Sequence, residues 1–425
     1  MTGRGARSGV RDDRDAAAAD AATAAAASAS LAARTGYGRL LALLAAGSHD
    51  LAGAEDALAD ALEQALRRWP VDGVPDRPEA WLLTVARNRR RDAWRSAEAT
   101  RTTPFDPAVH APVHLDDVDP DAVPDRRLEL MLVCAHPAIS AGDRTPLMLN
   151  TVLGFTAEEV GRAYAVPTRT MATRLVRAKR RVRDNRIPFR IPDRSHLPER
   201  MDAVLAAVYA AYVIEWSTGP GDRDLPPEAL HLAEVLVELA PDDPEVRGLA
   251  ALVELSAARR AARTAPDGSF VPLAEQDPAR WDERLIARAH EHLRAAHATS
   301  VLGRYQLEAA VQAVHCARRD SGTTDWATLL ELHRSLAVVA PSLGSATALA
   351  AVTAEVEGAA AGLALLDADA SRTTRFQPAW ATRAALLRRL GRDTEAAVAF
   401  DHAIALTHET PERRHLESRR AALHG

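Results

Sequence analysis

The stretch that most constrains the fold is residues 154–183, GFTAEEVGRAYAVPTRTMATRLVRAKRRVR. Thr156 is suited to cap a first helix, since the two glutamates that follow it favour the positive end of a helix. Val160 and Ala163 have the spacing of inward-facing residues. The Ala-Val-Pro break at 165–167 predicts a turn, after which a second helix begins. The segment is therefore predicted to form a helix-turn-helix.

The second helix of this segment carries an apolar stripe and a cationic surface. Met171, Leu175 and Val182 are spaced four and seven residues apart, which places them on one face. The remaining surface is basic, with Arg169, Arg174, Arg177, Lys179, Arg180, Arg181 and Arg183. A major groove admits one α-helix, and cations beside it meet the phosphates. Because so many like charges repel one another without a polyanion, the pattern favours nucleic-acid binding over an ordinary solvated helix.

The composition favours an all-α fold. Hydrophobic residues make up 47% of the chain but aromatic residues only 4%, so the cores are expected to be built from Ala, Leu and Val, and Ala and Leu are strong helix formers. No apolar run approaches the roughly 20 residues that span a bilayer, so no membrane association is expected. Cys134 and Cys316 are too few and too distant for a disulfide framework, which favours the cytoplasm.

The chain divides into five segments by composition. The net charge is −5, so the positive charge is local rather than general. The expected segments are a disordered Ala-rich tail at 1–34, a helical domain at 35–101, an acidic Pro-rich linker at 102–124, a domain with the helix-turn-helix at 125–190, and a C-terminal helical domain at 191–425.

The C-terminal domain shows weak internal repetition. Residues 380–406 fit the tetratricopeptide pattern, with Gly391 in the turn and Ala396, Phe400 and Ala403 lining the second helix. Further helix pairs, which match the consensus poorly, are expected around 228–257, 281–316, 326–340 and 345–368. A tetratricopeptide-like repeat domain is favoured, and a plain helical bundle is the alternative.

Two helices are predicted in the segment 35–101. The first places five apolar residues on one face, Leu51, Ala54, Leu58, Leu62 and Leu66, with acidic residues beside them. The second, residues 79–96, carries Arg87, Arg89, Arg90, Arg91 and Arg95 with Trp81 and Trp94. Arginines among aromatic rings suit a single strand, because rings stack on unpaired bases while cations hold phosphates. Burial in the core is the alternative for both tryptophans.

An acidic helix, an arginine- and tryptophan-bearing helix, an acidic linker and a basic helix-turn-helix thus follow in order. This order resembles bacterial RNA polymerase sigma factors of the extracytoplasmic-function type. AEDALADALEQALRRW and AWLLTVARNRRRDAWR resemble region 2 of that family, and 154–183 resembles region 4. RRWPVDGVPDRPEAWLLTVARN and VPTRTMATRLVRAKRRVRDNRIPFRIP are similar to the group with a fused C-terminal tetratricopeptide-like extension.

The resemblance implies binding to core RNA polymerase, at its β′ clamp and β flap, and promoter-specific initiation. Contact with the polymerase would fall to Glu55, Asp56, Leu58, Asp60 and Leu62. Contact with the −10 element would fall to Arg87, Asn88, Arg91, Trp94 and Arg95. Contact with the −35 element would fall to Thr168, Arg169, Ala172, Thr173, Arg174, Arg177 and Lys179. The C-terminal domain would regulate in cis, with a protein or peptide as its candidate partner.

Enzymatic and metal-binding motifs are not evident in the sequence. His290, Glu291, His292 and His297 suggest a metal site, but only His290 and His297 share a helix face, so a solvated helix is expected. Phosphate-binding glycine loops and nucleophile elbows are missing, so neither an enzyme nor a cofactor is expected.

Two other functional classes remain open. In one, the chain is a one-component helix-turn-helix transcriptional regulator whose repeats sense a ligand or peptide. That class has no use for the arginine- and tryptophan-bearing helix at 79–96. In the other, the chain is a repeat scaffold with vestigial DNA-binding segments. Co-purification with core polymerase separates the three classes.

Overall fold

The computed structural model describes residues 6–46, 50–100, 126–164, 166–192, 194–217, 228–407 and 410–423. Over these ranges the regular structure is helical, with a single β-bridge between Thr264 and Phe270 and no strand. The predicted all-α fold is therefore confirmed. Among the described helices, none combines the length and the apolar character that crossing a membrane requires. The chain forms two compact units, Met1–Ala211 and Tyr212–Gly425.

The first unit contains two groups of helices. Its helices are α1 (Ala6–Ala46), α2 (Leu51–Asp72), α3 (Pro78–Thr100), α4 (Arg127–Cys134), α5 (Ala141–Thr151), α6 (Ala157–Ala163), α7 (Thr168–Asp184) and the start of α8 (Leu197–Ser217). Helices α1–α3 contact one another. In the second group α5 packs against α4, α6 and α7, and α6 packs against α7; between the groups, α1 contacts α4 and α2 contacts α7. The linker predicted at 102–124 lies outside the described residues.

The core between α1, α2 and α3 is built largely from alanine. The buried residues of α2 are Leu51, Ala54, Ala57, Leu58, Ala61, Ala65 and Trp69. Leu66, which we predicted on the inward face, is 50% exposed. The prediction for Leu66 is wrong because Ala61, Ala65 and Trp69 occupy the inward stripe at this end of the helix. Trp81 packs edge to face on Trp69, with ring centroids 5.5 Å apart, as its core alternative requires.

The N-terminal segment differs from the expected disordered tail. Helix α1 begins at Ala6, and Ala25, Ala29 and Ala32 are buried. Alanine has the highest helix propensity and loses no side-chain entropy on burial, so an alanine-rich segment forms a helix readily once one face finds a partner.

The second unit consists of the remaining helices. They are α9 (Glu228–Leu239), α10 (Pro244–Ala258), α11 (Glu283–His297), α12 (Arg304–Ser321), α13 (Trp326–Val339), α14 (Leu343–Val356), α15 (Ala359–Ala368), α16 (Ala370–Thr373), α17 (Gln377–Arg389), α18 (Asp393–Leu406) and α19 (Thr410–Ala421). Helix pairs are present around 228–257, 281–316 and 345–368, as expected, but residues 326–340 form the single helix α13 and the pair expected there is wrong.

Helix α10 is the centre of the first half of this unit, where it packs against α9, α11 and α12. A Cβ on Gly248 would lie 2.6 Å from the backbone nitrogen of Gln306, so glycine allows α10 to approach α12 closely. The Glu245 carboxylate of α10 accepts the backbone N–H groups of Tyr305 and Gln306. It thereby satisfies free donors at the start of α12.

The predicted helix pair at 380–406 is present as α17 and α18. Gly391 has φ +70°, the left-handed conformation that ends α17. Ala396, Phe400 and Ala403 are buried on α18, as predicted. The relation of these pairs to tetratricopeptide repeats stays a prediction.

Candidate nucleic-acid interface

Helix α6 and its turn onto α7 are fixed by local contacts. The Thr156 hydroxyl accepts the Glu159 backbone N–H at 3.2 Å, and the Glu159 carboxylate accepts the Thr156 backbone N–H at 2.7 Å. This reciprocal capping confirms the predicted helix start. A Cβ on Gly161 would lie 2.8 Å from the Val166 carbonyl oxygen, so the turn folds tightly over α6. Ala163 is exposed, and its predicted inward position is wrong.

The predicted apolar stripe of α7 is confirmed. Met171, Leu175 and Val182 are buried, together with Ala178. The opposite side of the helix presents Thr168, Arg169, Thr173, Arg177, Arg180, Arg181 and Arg183 to solvent, with Ala172 half-buried. The helix therefore has one side committed to the core and one side rich in exposed guanidinium groups.

The predicted −35 residues divide into outward and inward sets. Arg169 and Arg177 are exposed, and neither forms an ion pair within the described part of the chain. Arg174 instead turns towards α5, where its Nε lies 2.7 Å from Asp143 Oδ1 and its guanidinium donates to the Gly142 carbonyl. Arg174 is thus half-buried and fixes α7 on α5.

Lys179 is the predicted −35 residue that points away from solvent. Its Nζ lies 2.6 Å from Glu55 Oε2 and donates to Asn150 Oδ1 at 2.8 Å. The Lys179 side chain is only 13% exposed and that of Glu55 only 19%. In this arrangement Lys179 is not part of the outward cationic face, because it joins α7 to α2. Lys179 was expected to contact a DNA phosphate, and its inward position does not agree with that expectation.

The predicted −10 residues lie on α3. Asn88 is exposed, and its Oδ1 accepts a hydrogen bond of 2.6 Å from Arg91. Arg89 pairs with Asp60 of α2 at 2.6 Å, and Arg87 is half-buried. The structure therefore places Asn88 and Arg91 side by side on an exposed surface.

Arg90, Trp94 and Arg95 are the other residues of α3 that the sequence singled out. Arg90 turns inward and donates to the Leu44 carbonyl of α1, and burial lowers the pKa of its guanidinium. Trp94 and Arg95 belong to α3, but they lie outside the residues whose side chains are described.

The predicted polymerase contacts on α2 are only partly accessible. Asp56 is exposed, and Asp60 and Leu62 are half-buried. Leu58 is 1% exposed and packs in the core, so its expected contact with a partner is corrected. Glu55 is covered by Lys179.

Burial shifts the titration of the groups around Lys179. The pKa of the Glu55 carboxyl is raised, because burial outweighs the attraction of Lys179. Burial also raises the pKa of the Tyr37 hydroxyl, with Glu55 as a further cause. Cys134 Sγ lies 3.5 Å from the Thr151 hydroxyl, and burial raises its pKa to about 12. Cys134 is therefore a buried thiol without thiolate character.

Sequence reasoning missed the residues that bring α1, α2, α5 and α7 together. Gly38 and Asn150 gave no pattern of their own, and Glu55 was assigned to the polymerase, because the roles of all three depend on partners far along the chain. One signal was available: Lys179 is the only lysine among the 53 Lys and Arg residues.

One histidine of α11, His292, belongs to an ion-pair cluster. His292 Nε2 lies 3.6 Å from Glu254 Oε1, a carboxylate that sequence reasoning had not placed there. Arg288 Nε already contacts the same oxygen at 2.5 Å. Over the described ranges, no group of three or more His, Cys, Asp or Glu side chains is placed to hold a metal ion.

Comparisons with known proteins agree with part of this geometry. Residues 34–100, which contain α2 and α3, match Sigma-70 region 2. Residues 200–297 match a family of unknown function, DUF6596. Sigma factors bind RNA polymerase and take part in transcription initiation, and they are not enzymes. No solved structure matches the chain.

An uncharacterized protein of Rhizobium meliloti (strain 1021) is 33% identical over 365 residues, which covers 83% of this chain and 86% of that protein. The chain belongs to the same family as the Rhizobium protein.

Proposed function

We propose that this chain, as a member of that family with a Sigma-70 region 2 domain, is a sigma factor that directs core RNA polymerase to its promoters. The observation that carries the proposal is the match of residues 34–100 to Sigma-70 region 2, combined with the exposed Asn88 and Arg91 on α3. The chain supplies promoter contacts and strand opening in the cytoplasm, while the polymerase supplies the chemistry.

Contact with the −10 element is assigned to the exposed end of α3. An asparagine amide offers both a donor and an acceptor to a base edge, and the neighbouring Arg91 offers charge to the backbone. The Arg91 hydrogen bond to Asn88 Oδ1 holds these two exposed side chains next to each other. Trp94 and Arg95 continue the same helix.

Contact with the −35 element is assigned to α7 as the second helix of a helix-turn-helix. Thr168, Arg169 and Thr173 lie at its start, where recognition helices meet base edges. The Thr173 hydroxyl donates to the Arg169 carbonyl at 2.9 Å, and the Arg169 side chain is exposed to solvent. Arg177, one turn further, is suited to phosphate.

Core polymerase is assigned to the outer face of α2. Asp56, Asp60 and Leu62 remain accessible there, and the exposed Leu66 extends the same helix with an apolar side chain. An exposed leucine beside carboxylates fits a protein partner better than DNA, which would repel the acids.

The test is transcription of the source organism's genomic DNA by core polymerase that lacks every other specificity subunit. With this chain added, RNA 5′ ends should map to a defined set of start sites. A one-component regulator would neither bind the core enzyme nor produce new start sites, and that result would reject the proposal.

Variants assign the two DNA contacts. Arg169→Ala and Arg177→Ala should each reduce the slope of log affinity against log salt by about 0.9, the value for one lost phosphate contact. Asn88→Ala should change base preference at the −10 element by about 10-fold or more. Arg67→Ala is the matched control, since this exposed arginine pairs only with Glu63 on α2 within the described residues.

The second unit is assigned a regulatory role in cis, with a protein or peptide as its candidate partner. Residues 200–297, which match the family of unknown function, include α9–α11. Transcription by a chain that lacks residues 212–425 tests this role. Unchanged start sites and unchanged output would reject it.

A further inference from the structure

We propose that the connection between α10 and α11 (residues 259–282) is a receptor for a basic helix, and that α19 of the same chain occupies it as a detachable latch. The occupied receptor closes the helices of the second unit into a ring. The proposal does not depend on the function assigned to the first unit, because every residue that carries it lies in the second.

The helices of the second unit form an array, in which each helix packs mainly against its neighbours in the chain. Over the described residues, the contacts from α12 onward pass to α13, α14, α15, α17, α18 and α19 in turn. The buried apolar residues follow this arrangement, since one core joins α12–α14 and another joins α14–α19. An array of this kind is stabilised by contacts between neighbours, and its two ends need not meet.

In this chain, however, the last helix returns to the start of the array. Arg419 Nη2 of α19 lies 2.7 Å from Glu275 Oε1 of the connection, which is 144 residues earlier. The His415 ring packs edge to face on the Phe270 ring, with centroids 5.6 Å apart. Because both contacts join α19 to the segment before α11, they close the array end to end.

Helix α19 presents two neighbouring faces to two different partners. His415 and Arg419, four residues apart, face the connection. Leu416 and Arg420, again four residues apart, face the preceding helices. Leu416 is buried in the core of α14–α19, and Arg420 Nε lies 3.0 Å from Asp401 Oδ1 of α18. The contacts with the connection are therefore separate from those that attach α19 to α18.

Phe270 is the centre of the receptor. The Arg263 guanidinium lies 5.9 Å from the centre of its ring, and His415 contacts the same ring. Burial lowers the pKa of Arg263 to about 10, and Glu412 of α19 opposes this shift through its negative charge. The latch thus presents an acid, a ring and an arginine at positions i, i+3 and i+7, namely Glu412, His415 and Arg419.

The receptor is a built surface rather than a loose loop. Arg318 of α12 donates to three backbone carbonyls of the connection, those of Leu273, Ala274 and Gln276. The same guanidinium lies 5.3 Å from the centre of the buried Trp281 ring. Connections longer than about 15 residues without an α-helix are uncommon in compact domains and usually have a function.

The receptor and the latch are complementary in charge. Residues 264–279 contain three carboxylates and no lysine or arginine, whereas residues 410–423 contain four arginines and two glutamates. The pKa of Asp267 is lowered, mainly by hydrogen bonds from Ser269, with the positive charge of Arg414 as a further cause. A partner that replaces α19 on this surface is therefore expected to be a basic helix.

The latch can leave the receptor without unfolding. The side chains of Arg419 and Glu275 are 38% and 57% exposed, and an exposed ion pair contributes little free energy. Leu416 keeps α19 on α18 when the contacts with the connection are lost. Release therefore opens the ring and uncovers Phe270, while the array itself stays folded.

Cysteine cross-linking in the full chain measures how often the receptor is occupied. Ala274→Cys and Ser418→Cys place exposed thiols next to Glu275 and Arg419, outside the latch contacts. A brief pulse of a short bismaleimide should join the two thiols, and peptide mass spectrometry identifies the link. The quantity compared is the link ratio, the amount of linked chain divided by the amount of chain with two separate adducts.

Two features of the chain provide the controls for this link. The native Cys134 and Cys316 are buried, and burial raises the pKa of both thiols, so they react slowly in the folded chain. The pair Ser335→Cys and Ser418→Cys should give no link, because Ser335 is exposed on α13 in the middle of the array.

Two treatments test release without changing the latch. Raising the salt concentration from about 0.1 M to about 1 M shortens the Debye length from about 10 Å to about 3 Å and should lower the link ratio about twofold or more. A peptide of residues 410–423, added in excess, should also lower the link ratio because it competes for the receptor. A scrambled peptide of the same composition should leave the link ratio unchanged.

A latch variant tests the named contacts. Phe270→Ala combined with Arg419→Met should lower the link ratio about 10-fold, as expected for the loss of one aromatic contact and one exposed ion pair. Glu417→Gln on α19 and Arg392→Met, both at exposed positions, are the matched controls and should leave the link ratio within about twofold. Circular dichroism shows that each variant is folded.

The outcomes separate the latch from a fixed part of the fold. A link ratio that falls with salt, with the peptide and in the latch variant supports the proposal. No link between positions 274 and 418 overturns the ring. A link that salt, peptide and the latch variant all leave unchanged overturns the detachable latch. A link ratio that falls with salt but not with the peptide overturns the receptor for a helix.

Discussion

Each of the two units contains an ion-pair cluster around a shielded carboxylate, Glu55 in the first and Glu254 in the second, and the two clusters differ in what they join. In the second unit, Arg288 of α11 contacts Glu254 of α10 and Glu234 of α9, three consecutive helices. In the first unit, Lys179 joins α7 to Glu55 of α2 across 124 residues. A cluster within consecutive helices is lost only when those helices unfold. A pair between distant segments is also lost when two folded groups of helices separate.

The largest expected effect comes from breaking the cluster of the second unit. Arg288→Met leaves the Glu254 carboxylate, whose side chain is 1% exposed, without its ion pair and without access to water. The free energy of unfolding should fall by about 3 kcal/mol, as expected for one partner removed from a buried pair. Urea-induced unfolding measures this loss. Arg294→Met, at an exposed position of α11, should change stability by less than about 0.5 kcal/mol.

The pH dependence of the same cluster is the next largest effect. Burial holds the pKa of Glu254 at about 7, above its ordinary 4.5, despite Arg288. The folded state therefore keeps a proton that the unfolded state releases between these values. The stabilisation linked to Glu254 is thus complete below about pH 4.5 and is lost as the pH rises through about 7.

The substitution Glu254→Gln tests the direction of this pH dependence. The substitution should be more favourable, relative to the parent, at pH 8 than at pH 5, by about 2 kcal/mol in the free energy of unfolding. If Glu254 were an ordinary salt-bridged carboxylate with a lowered pKa, the substitution would instead be more favourable at pH 5 than at pH 8. Because His292 lies 3.6 Å from Glu254 and is itself titratable, the same comparison is also made in a His292→Gln background.

The reciprocal cap of α6 is a local contact of the first unit, and it stays intact when the two groups of helices separate. Thr156→Ala removes the reciprocal cap of α6, and the free energy of unfolding should fall by about 1 kcal/mol. Thr156→Ser keeps the hydroxyl and should restore most of this loss. A negligible effect of both substitutions would indicate that α6 is fixed by packing alone.

The smallest effect on unfolding is expected at the distant pair. Lys179→Met removes the amine, but separation of the two helix groups returns Glu55 to water, so the free energy of unfolding should fall by less than about 1 kcal/mol. The change should appear instead as a larger radius of gyration in small-angle X-ray scattering. A loss near 3 kcal/mol, with an unchanged radius, would remove the distinction between the two clusters.

Features set by residues three or four positions apart were predictable from the sequence. The Thr156 cap, the apolar stripe through Met171 and Leu175, and the turn at Gly391 all follow from local spacing. Local chemistry decides these features, because each is completed within one or two helical turns. Asn88 and Arg91 were assigned to the candidate site by the resemblance to sigma factors rather than by local spacing.

Features set by distant partners were not predictable. Leu66 was expected inside because it is a leucine, but the close approach of α1 and α3 to α2 is made by alanines. Lys179 was assigned to DNA because it lies among arginines, and its true neighbours, Glu55 and Asn150, come from other helices. A spacing rule describes one helix and contains no information about which helix lies opposite.

The alanine stripe of α2 has a consequence for how the first unit tolerates change. Alanine has no side-chain rotamers to immobilise, so four buried alanines, Ala54, Ala57, Ala61 and Ala65, order α2 at no side-chain entropic cost. For the same reason, these alanines bring no flexible side-chain atoms to the interface between the helices. A bulkier residue at any of these buried positions has to displace the atoms packed against it, and sequence drift between these helices is therefore restricted towards small side chains.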